Sequence, residues 1–137
     1  MLYVEIISGL WIGDIDIMYN KKFLQDNNIN IIINCTTTYN FSDYSETNNI
    51  RLPLSDNLYH NLDQLRIHKD KILKYIDDSL ENNNILLCCY DGKTNSPFII
   101  SLYLMKYGGI TKDKIKQIIL SKNTNISMDY DLGLLDL

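Results

Sequence analysis

The stretch that most constrains this chain runs from Ile85 to Tyr107. Ile85-Leu86-Leu87-Cys88 is a short apolar run, followed by the polar, glycine-containing segment Cys89-Tyr90-Asp91-Gly92-Lys93-Thr94-Asn95-Ser96. Pro97 to Tyr107 then carries Phe98, Ile99, Leu102, Leu104 and Met105 on an almost wholly apolar stretch. A short apolar run bounded by turn residues predicts a buried central strand, and a helix apolar all round belongs in a core. Strand, tight loop and buried helix in that order commit the chain to helices layered on a sheet. The same order suits an anion, because successive backbone N–H groups of such a loop form a nest and the helix adds its positive end. A cysteine at the start of the loop is held near those donors, which favours the thiolate, a nucleophile. Cys89 occupies that place.

The flanking segments extend the pattern. Val4 to Ile7 and Leu10 to Ile12 predict two short strands around Ser8-Gly9, a hairpin at the sheet edge. Asn20 is placed to cap a helix through Asp26, with Phe23 and Leu24 inward. Ile29 to Asn34 is a β-branched apolar run that suits a strand buried on both faces, Thr36 to Asn49 reads as loop, and Ile50 to Leu54 as a strand ended or edged by Pro53. Leu62, Leu65, Ile72, Leu73, Ile76 and Leu80 recur at helical spacing, with Asn61 and Gln64 set as a capping-box variant. Gly108-Gly109 should stop the apolar helix, Thr111 should cap another through Leu120, and Ser127 to Leu137 should form a last short helix packed through Leu132, Leu134 and Leu135. The resulting class is α/β, a mostly parallel central sheet flanked by helices, in one domain spanning 1–137.

Composition excludes several function classes. No apolar run approaches the roughly 20 residues of a membrane span, so a membrane role is not expected. A formal charge of −4 gives no basic footprint for nucleic acid. Met1 to Glu5 lacks the basic-then-apolar layout of a signal peptide, so the expected location is the cytoplasm, a host-cell cytoplasm if the source is viral. The three cysteines, Cys35, Cys88 and Cys89, suit neither a disulfide framework nor paired zinc-ligand spacing. His60 and His68 have no metal-ligand company and read as surface or cap residues. Neither a metal nor a cofactor is expected.

The loop and its flanks resemble the dual-specificity subgroup of protein tyrosine phosphatases, whose signature is His-Cys-x5-Arg followed by Ser or Thr. Ser8-Gly9-Leu10-Trp11-Ile12-Gly13 resembles the family's entry segment, Ile31-Ile32-Ile33-Asn34-Cys35 its buried strand, and Ser101-Leu102-Tyr103-Leu104-Met105-Lys106 its core helix. Leu52-Pro53-Leu54-Ser55-Asp56 resembles the segment that supplies the general acid, with Asp56 33 positions before Cys89. The resemblance implies that Cys89 holds the nucleophile position, Asp56 that of the general acid and Ser96 that of the loop hydroxyl that assists the thiolate as leaving group. The phosphate-binding loop would comprise Cys89, Tyr90, Asp91, Gly92, Lys93, Thr94, Asn95 and Ser96.

Two positions depart from the signature. Asn95 stands where it has arginine, and Cys88 where it has histidine. Arginine offers a charged fork for two phosphoryl oxygens, whereas asparagine offers a short neutral amide. The expectation is therefore a phosphatase-like pseudoenzyme, a monomer that keeps a phosphate-like anion pocket and binds a phosphorylated or unmodified protein partner. The alternatives are a weakly active dual-specificity phosphatase using Cys89 and Asp56, with Lys93 replacing the arginine, and a cysteine-based sulfur-transfer or redox domain.

Overall fold

The computed structural model describes residues 1–128 and 130–133. Its strands are β1 (Tyr3–Ile7), β2 (Leu10–Gly13), β3 (Ile29–Asn34), β4 (Asn48–Arg51) and β5 (Asn84–Cys88). Its helices are α1 (Ile15–Met18), α2 (Lys21–Asp26), α3 (Leu62–Leu80), α4 (Asn95–Gly108) and α5 (Lys112–Lys122), with a 3-10 turn at Leu58–Asn61 leading into α3. The sheet order is β1-β2-β5-β3-β4, so the apolar run before the loop is the central strand. Among the described residues only the β1–β2 hairpin is antiparallel; β5 runs parallel to both β2 and β3, and β3 parallel to β4. This is the α/β architecture expected, a mostly parallel sheet flanked by helices.

The alternation of side chains along β5 builds two cores. Ile85, Leu87 and Cys89 join the cluster formed with α3, α4 and α5, whereas Leu86 and Cys88 face the smaller cluster with Ile17, Met18, Phe23 and Leu24. A strand buried on both faces cannot alternate in polarity, which is why this run is wholly apolar. Helix α4 is buried over most of its length, from Asn95 through Leu104, consistent with its lack of a polar face. It ends at Gly109, whose φ of 62° is the left-handed C-cap that a glycine adopts without penalty. Asn20 caps α2 and Thr111 caps α5 through side-chain acceptance from Phe23 N and Lys114 N.

Three expectations are corrected. The fourth strand begins earlier, at Asn48, and ends at Arg51, so Leu52 and Leu54 enter the core from a non-strand segment. That shift leaves Pro53 outside the ladder, where its missing N–H costs nothing. Asn61 makes no side-chain cap bond to α3, because its amide is engaged elsewhere. Ser127, Met128 and 130–133 are not helical, although Leu132 is buried as expected; Leu134 and Leu135 lie outside the described residues. The short helix α1, capped by Asp14 accepting from Ile17 N, carries too few residues to produce a periodic signal.

Candidate functional site

The parallel register brings three strand ends together at one edge of the sheet. Cys88 lies opposite both Gly13 of β2 and Asn34 of β3. Beyond that row, Cys35 N donates to Cys88 O at 2.7 Å, Cys89 N to Gly13 O at 3.3 Å and Ile15 N to Tyr90 O at 3.4 Å. The first residues of the loop are thus tied to both neighbouring strands, and Cys89 is held at 2% exposure. Gly92 has a φ of 72°, and a Cβ there would stand 2.9 Å from Leu2 Cδ2 and 3.1 Å from Asp14 N. Both the backbone conformation and the close approach require glycine at this turn. The far side of the loop is fixed by Ser127 N donating to Lys93 O at 3.0 Å.

Donors remain at the start of α4. Thr94, its N-cap, makes no side-chain cap bond, and the first helical bond runs from Phe98 N to Thr94 O. The N–H groups of Asn95 and Ser96 therefore have no intrahelical acceptor, and they carry the positive end of the helix dipole. The Ser96 hydroxyl is fully buried with no hydrogen-bond partner at ordinary distance and angle, although it lies near enough to the Cys35 thiol to offset a little of the upward push of burial there. One loop donor is already spent, since Lys93 N donates to Asp91 Oδ1 at 2.9 Å. The nest is consequently smaller than the uninterrupted row of amides expected from the loop's length.

Asp56, from the segment between β4 and the 3-10 turn, meets this loop across a pocket of about 60 Å³ lined by Asp56, Cys89, Tyr90, Asp91, Thr94 and Asn95. Folding thus brings the nucleophile and general-acid positions of the motif to one pocket, with Ser96 buried in α4 just beyond its lining. Tyr90 stands at the rim, 53% exposed, its ring 5.7 Å from that of Tyr39. Lys93 does not line this pocket. It faces a separate cleft of about 560 Å³ that also holds Asp14, Asp16 and Asp91. The idea that its ammonium covers the Cys89 pocket is therefore corrected: among the described residues no cationic side chain lines that pocket, which has two carboxylates on its wall. A further groove of about 470 Å³, containing Leu58, Tyr59 and Tyr130, shares Asp56 and Thr94 with it.

Asn95, 4% exposed, donates from Nδ2 to Ser55 O at 2.7 Å and accepts at Oδ1 from Asn61 Nδ2 at 3.3 Å. Asn61 also bonds the Ser55 backbone twice, donating to its carbonyl and accepting from its N–H, both at 2.8 Å. Sequence reasoning gave no role to Ser55 and read Asn61 as a cap; nothing in local spacing signals a contact between residues 34 positions apart. Burial pushes the Cys35 and Cys88 thiols well above the usual range, with the neighbouring cysteines adding to the effect.

The model of the dual specificity phosphatase catalytic domain matches residues 10–132. Human dual specificity protein phosphatase 16 is 24% identical over 136 residues; the match covers 93% of this chain and 19% of that protein, so the chain spans about a fifth of its length. Among solved structures, a mouse dual specificity phosphatase complexed with zinc tungstate superposes with a TM-score of 0.82 at 18% identity, covering 96% of this chain and 80% of the other. The human tyrosine phosphatase-like serine/threonine/tyrosine-interacting protein does so with a TM-score of 0.76 at 17% identity, covering 96% and 89%.

Proposed function

This chain belongs to the dual specificity phosphatase catalytic-domain family, and from that premise we propose that it works as a phosphatase-like binding protein with little or no phosphate-ester hydrolysis. The observation that carries the reading is the state of residue 95: a buried neutral amide bonded to Ser55 and Asn61, beside a pocket with no cation among the described residues of its lining. Phosphoryl transfer needs charge stabilisation where charge develops, and the loss of one oriented donor already costs roughly 10²–10³ in rate. The uncapped start of α4 and the unpartnered Ser96 hydroxyl still offer donors to an oxyanion.

A protein partner would seat a phosphorylated or acidic side chain in the Cys89 pocket and run along the groove that contains Leu58, Tyr59 and Tyr130. A structural relative of the same fold is itself named a phosphatase-like serine/threonine/tyrosine-interacting protein. A second reading, weak hydrolysis with Cys89 as nucleophile and Asp56 as acid, draws on the presence of both residues in one pocket. Family membership favours either reading over sulfur transfer or redox chemistry.

The deciding experiment pairs turnover with binding. Purified protein should show turnover of a small aryl phosphate no greater than its Cys89→Ser variant, while phosphate or tungstate should raise the unfolding temperature relative to chloride at equal ionic strength. Ligand at 100 times its dissociation constant adds about 2.7 kcal/mol of stability. Cys89-dependent turnover equal to that of arginine-bearing relatives sinks the binding-protein reading, and a missing oxyanion shift sinks the anion pocket.

A further inference from the structure

Ser55 is a solvent-exposed residue whose backbone is nonetheless engaged by two buried side chains. Its carbonyl accepts from Asn95 Nδ2 and Asn61 Nδ2, and its N–H donates to Asn61 Oδ1, with all three distances between 2.7 and 2.8 Å. The two amides also meet, Asn61 donating to Asn95 Oδ1 at 3.3 Å. The network fixes their orientation: turning Asn95 over would set its oxygen against the Ser55 carbonyl and its NH2 against that of Asn61. On the other side, Ser55 Oγ accepts from Asn57 N at 3.3 Å, and Asn57 Oδ1 accepts from Tyr59 N at 3.0 Å. The bracing therefore continues into the 3-10 turn.

We propose that Asn95 and Asn61 are positioning residues, a latch that holds the Asp56 loop against the start of α4 and keeps Asp56 on the wall of the Cys89 pocket with no ligand bound. Releasing the loop would break three hydrogen bonds to the Ser55 backbone and leave two desolvated amides without those partners. Asp56 follows Ser55 directly, so a single peptide unit joins the latch to the carboxylate. Residue 95 thus performs a task different from that of the arginine in the family signature. It grips the acid loop from behind. The latch does not depend on the pocket's binding an anion, and it would stand if that reading failed.

Residue-resolved amide exchange on the intact chain tests this. In the wild type, Ser55 N–H should exchange at least about tenfold more slowly than an unstructured amide. Asn61→Ala, which removes its acceptor, should abolish that protection while amides of α3 and β5 keep theirs. Asn95→Asp is nearly isosteric but, when ionised, has no donor for the Ser55 carbonyl, and exchange across residues 55–57 should rise about tenfold. Once pH falls far enough to protonate the introduced carboxyl, an O–H donor returns. Protection should then recover in Asn95→Asp and not in Asn95→Ala; the other carboxylates lining the pocket, Asp56 and Asp91, are common to both variants, so the comparison isolates residue 95. Free exchange of the Ser55 amide in the wild type overturns the latch whether or not the variants fold. So does unchanged protection in Asn95→Asp, or equal pH dependence of the two variants.

Discussion

The side-chain nitrogen of Asn95 lies 2.7 Å from the carbonyl oxygen of Ser55, joining the first residue of α4 to the residue before Asp56. The position that the family signature gives to a phosphate-gripping arginine is here part of the wall between two segments. Replacing the residue therefore changes loop anchorage and site charge together.

Restoring the arginine makes that double role measurable. Asn95→Arg should strengthen phosphate binding by adding a charged donor, yet lower stability by about 1–3 kcal/mol, because Ser55 O and Asn61 lose a partner at a site only 4% exposed. Turnover should rise well short of the roughly 10²-fold or more that a repaired donor yields in an otherwise aligned site. Phosphate titration, urea unfolding and aryl-phosphate turnover on the same preparation separate the three effects.

Ser96 offers an opposite case. Its hydroxyl is buried without a hydrogen-bond partner, so Ser96→Ala should change stability by no more than about 1 kcal/mol, in contrast to the usual loss on removing a bonded buried hydroxyl. The same variant should weaken the phosphate-induced thermal shift if the hydroxyl turns toward a bound oxyanion. A large loss of stability in ligand-free protein would mean that the hydroxyl already serves the resting fold.

Thiol labelling should separate the three cysteines. Burial favours the neutral thiols of Cys35 and Cys88 and pushes both above their ordinary range, so near pH 8 neither should alkylate at an appreciable rate in the folded protein. Cys89, which lines a pocket, should be modified ahead of both. Peptide mapping after brief iodoacetamide treatment gives the order, and early modification of Cys35 or Cys88 would contradict it.

Alkaline stability should carry a signature of Tyr103. Burial, with help from its hydrogen bond to Asp77 Oδ1 and that residue's charge, pushes the Tyr103 phenol up to about 12. The folded state therefore holds this proton more tightly than the unfolded chain, whose tyrosines ionise near 10. The contribution is fully present below about pH 10 and is lost as pH rises toward about 12. The urea midpoint should fall between pH 9 and pH 12, and Tyr103→Phe should make that fall shallower.

The central strand, the buried helix after it and the glycine of the loop were legible in the sequence because each obeys a local rule. Ile85 to Cys88 must be apolar on both faces, α4 has no polar face, and Gly92 occupies a turn with positive φ beside a foreign backbone. The order of motifs also led to Cys89 and Asp56 as members of one site. The local rules did not reveal the partners of polar side chains. Asn61 had the spacing of a cap and instead holds Ser55; Lys93 sat in the loop and instead faces the neighbouring cleft; Asp91 takes a loop donor for itself. Periodicity and turn chemistry record which residues a segment buries and where its backbone bends, since both follow from dihedral preferences and the pitch of helix and strand. A hydrogen bond between Asn61 and Asn95 exists only once the parallel sheet has brought the ends of distant segments together, and that closure decides what the residue in the arginine's place can reach.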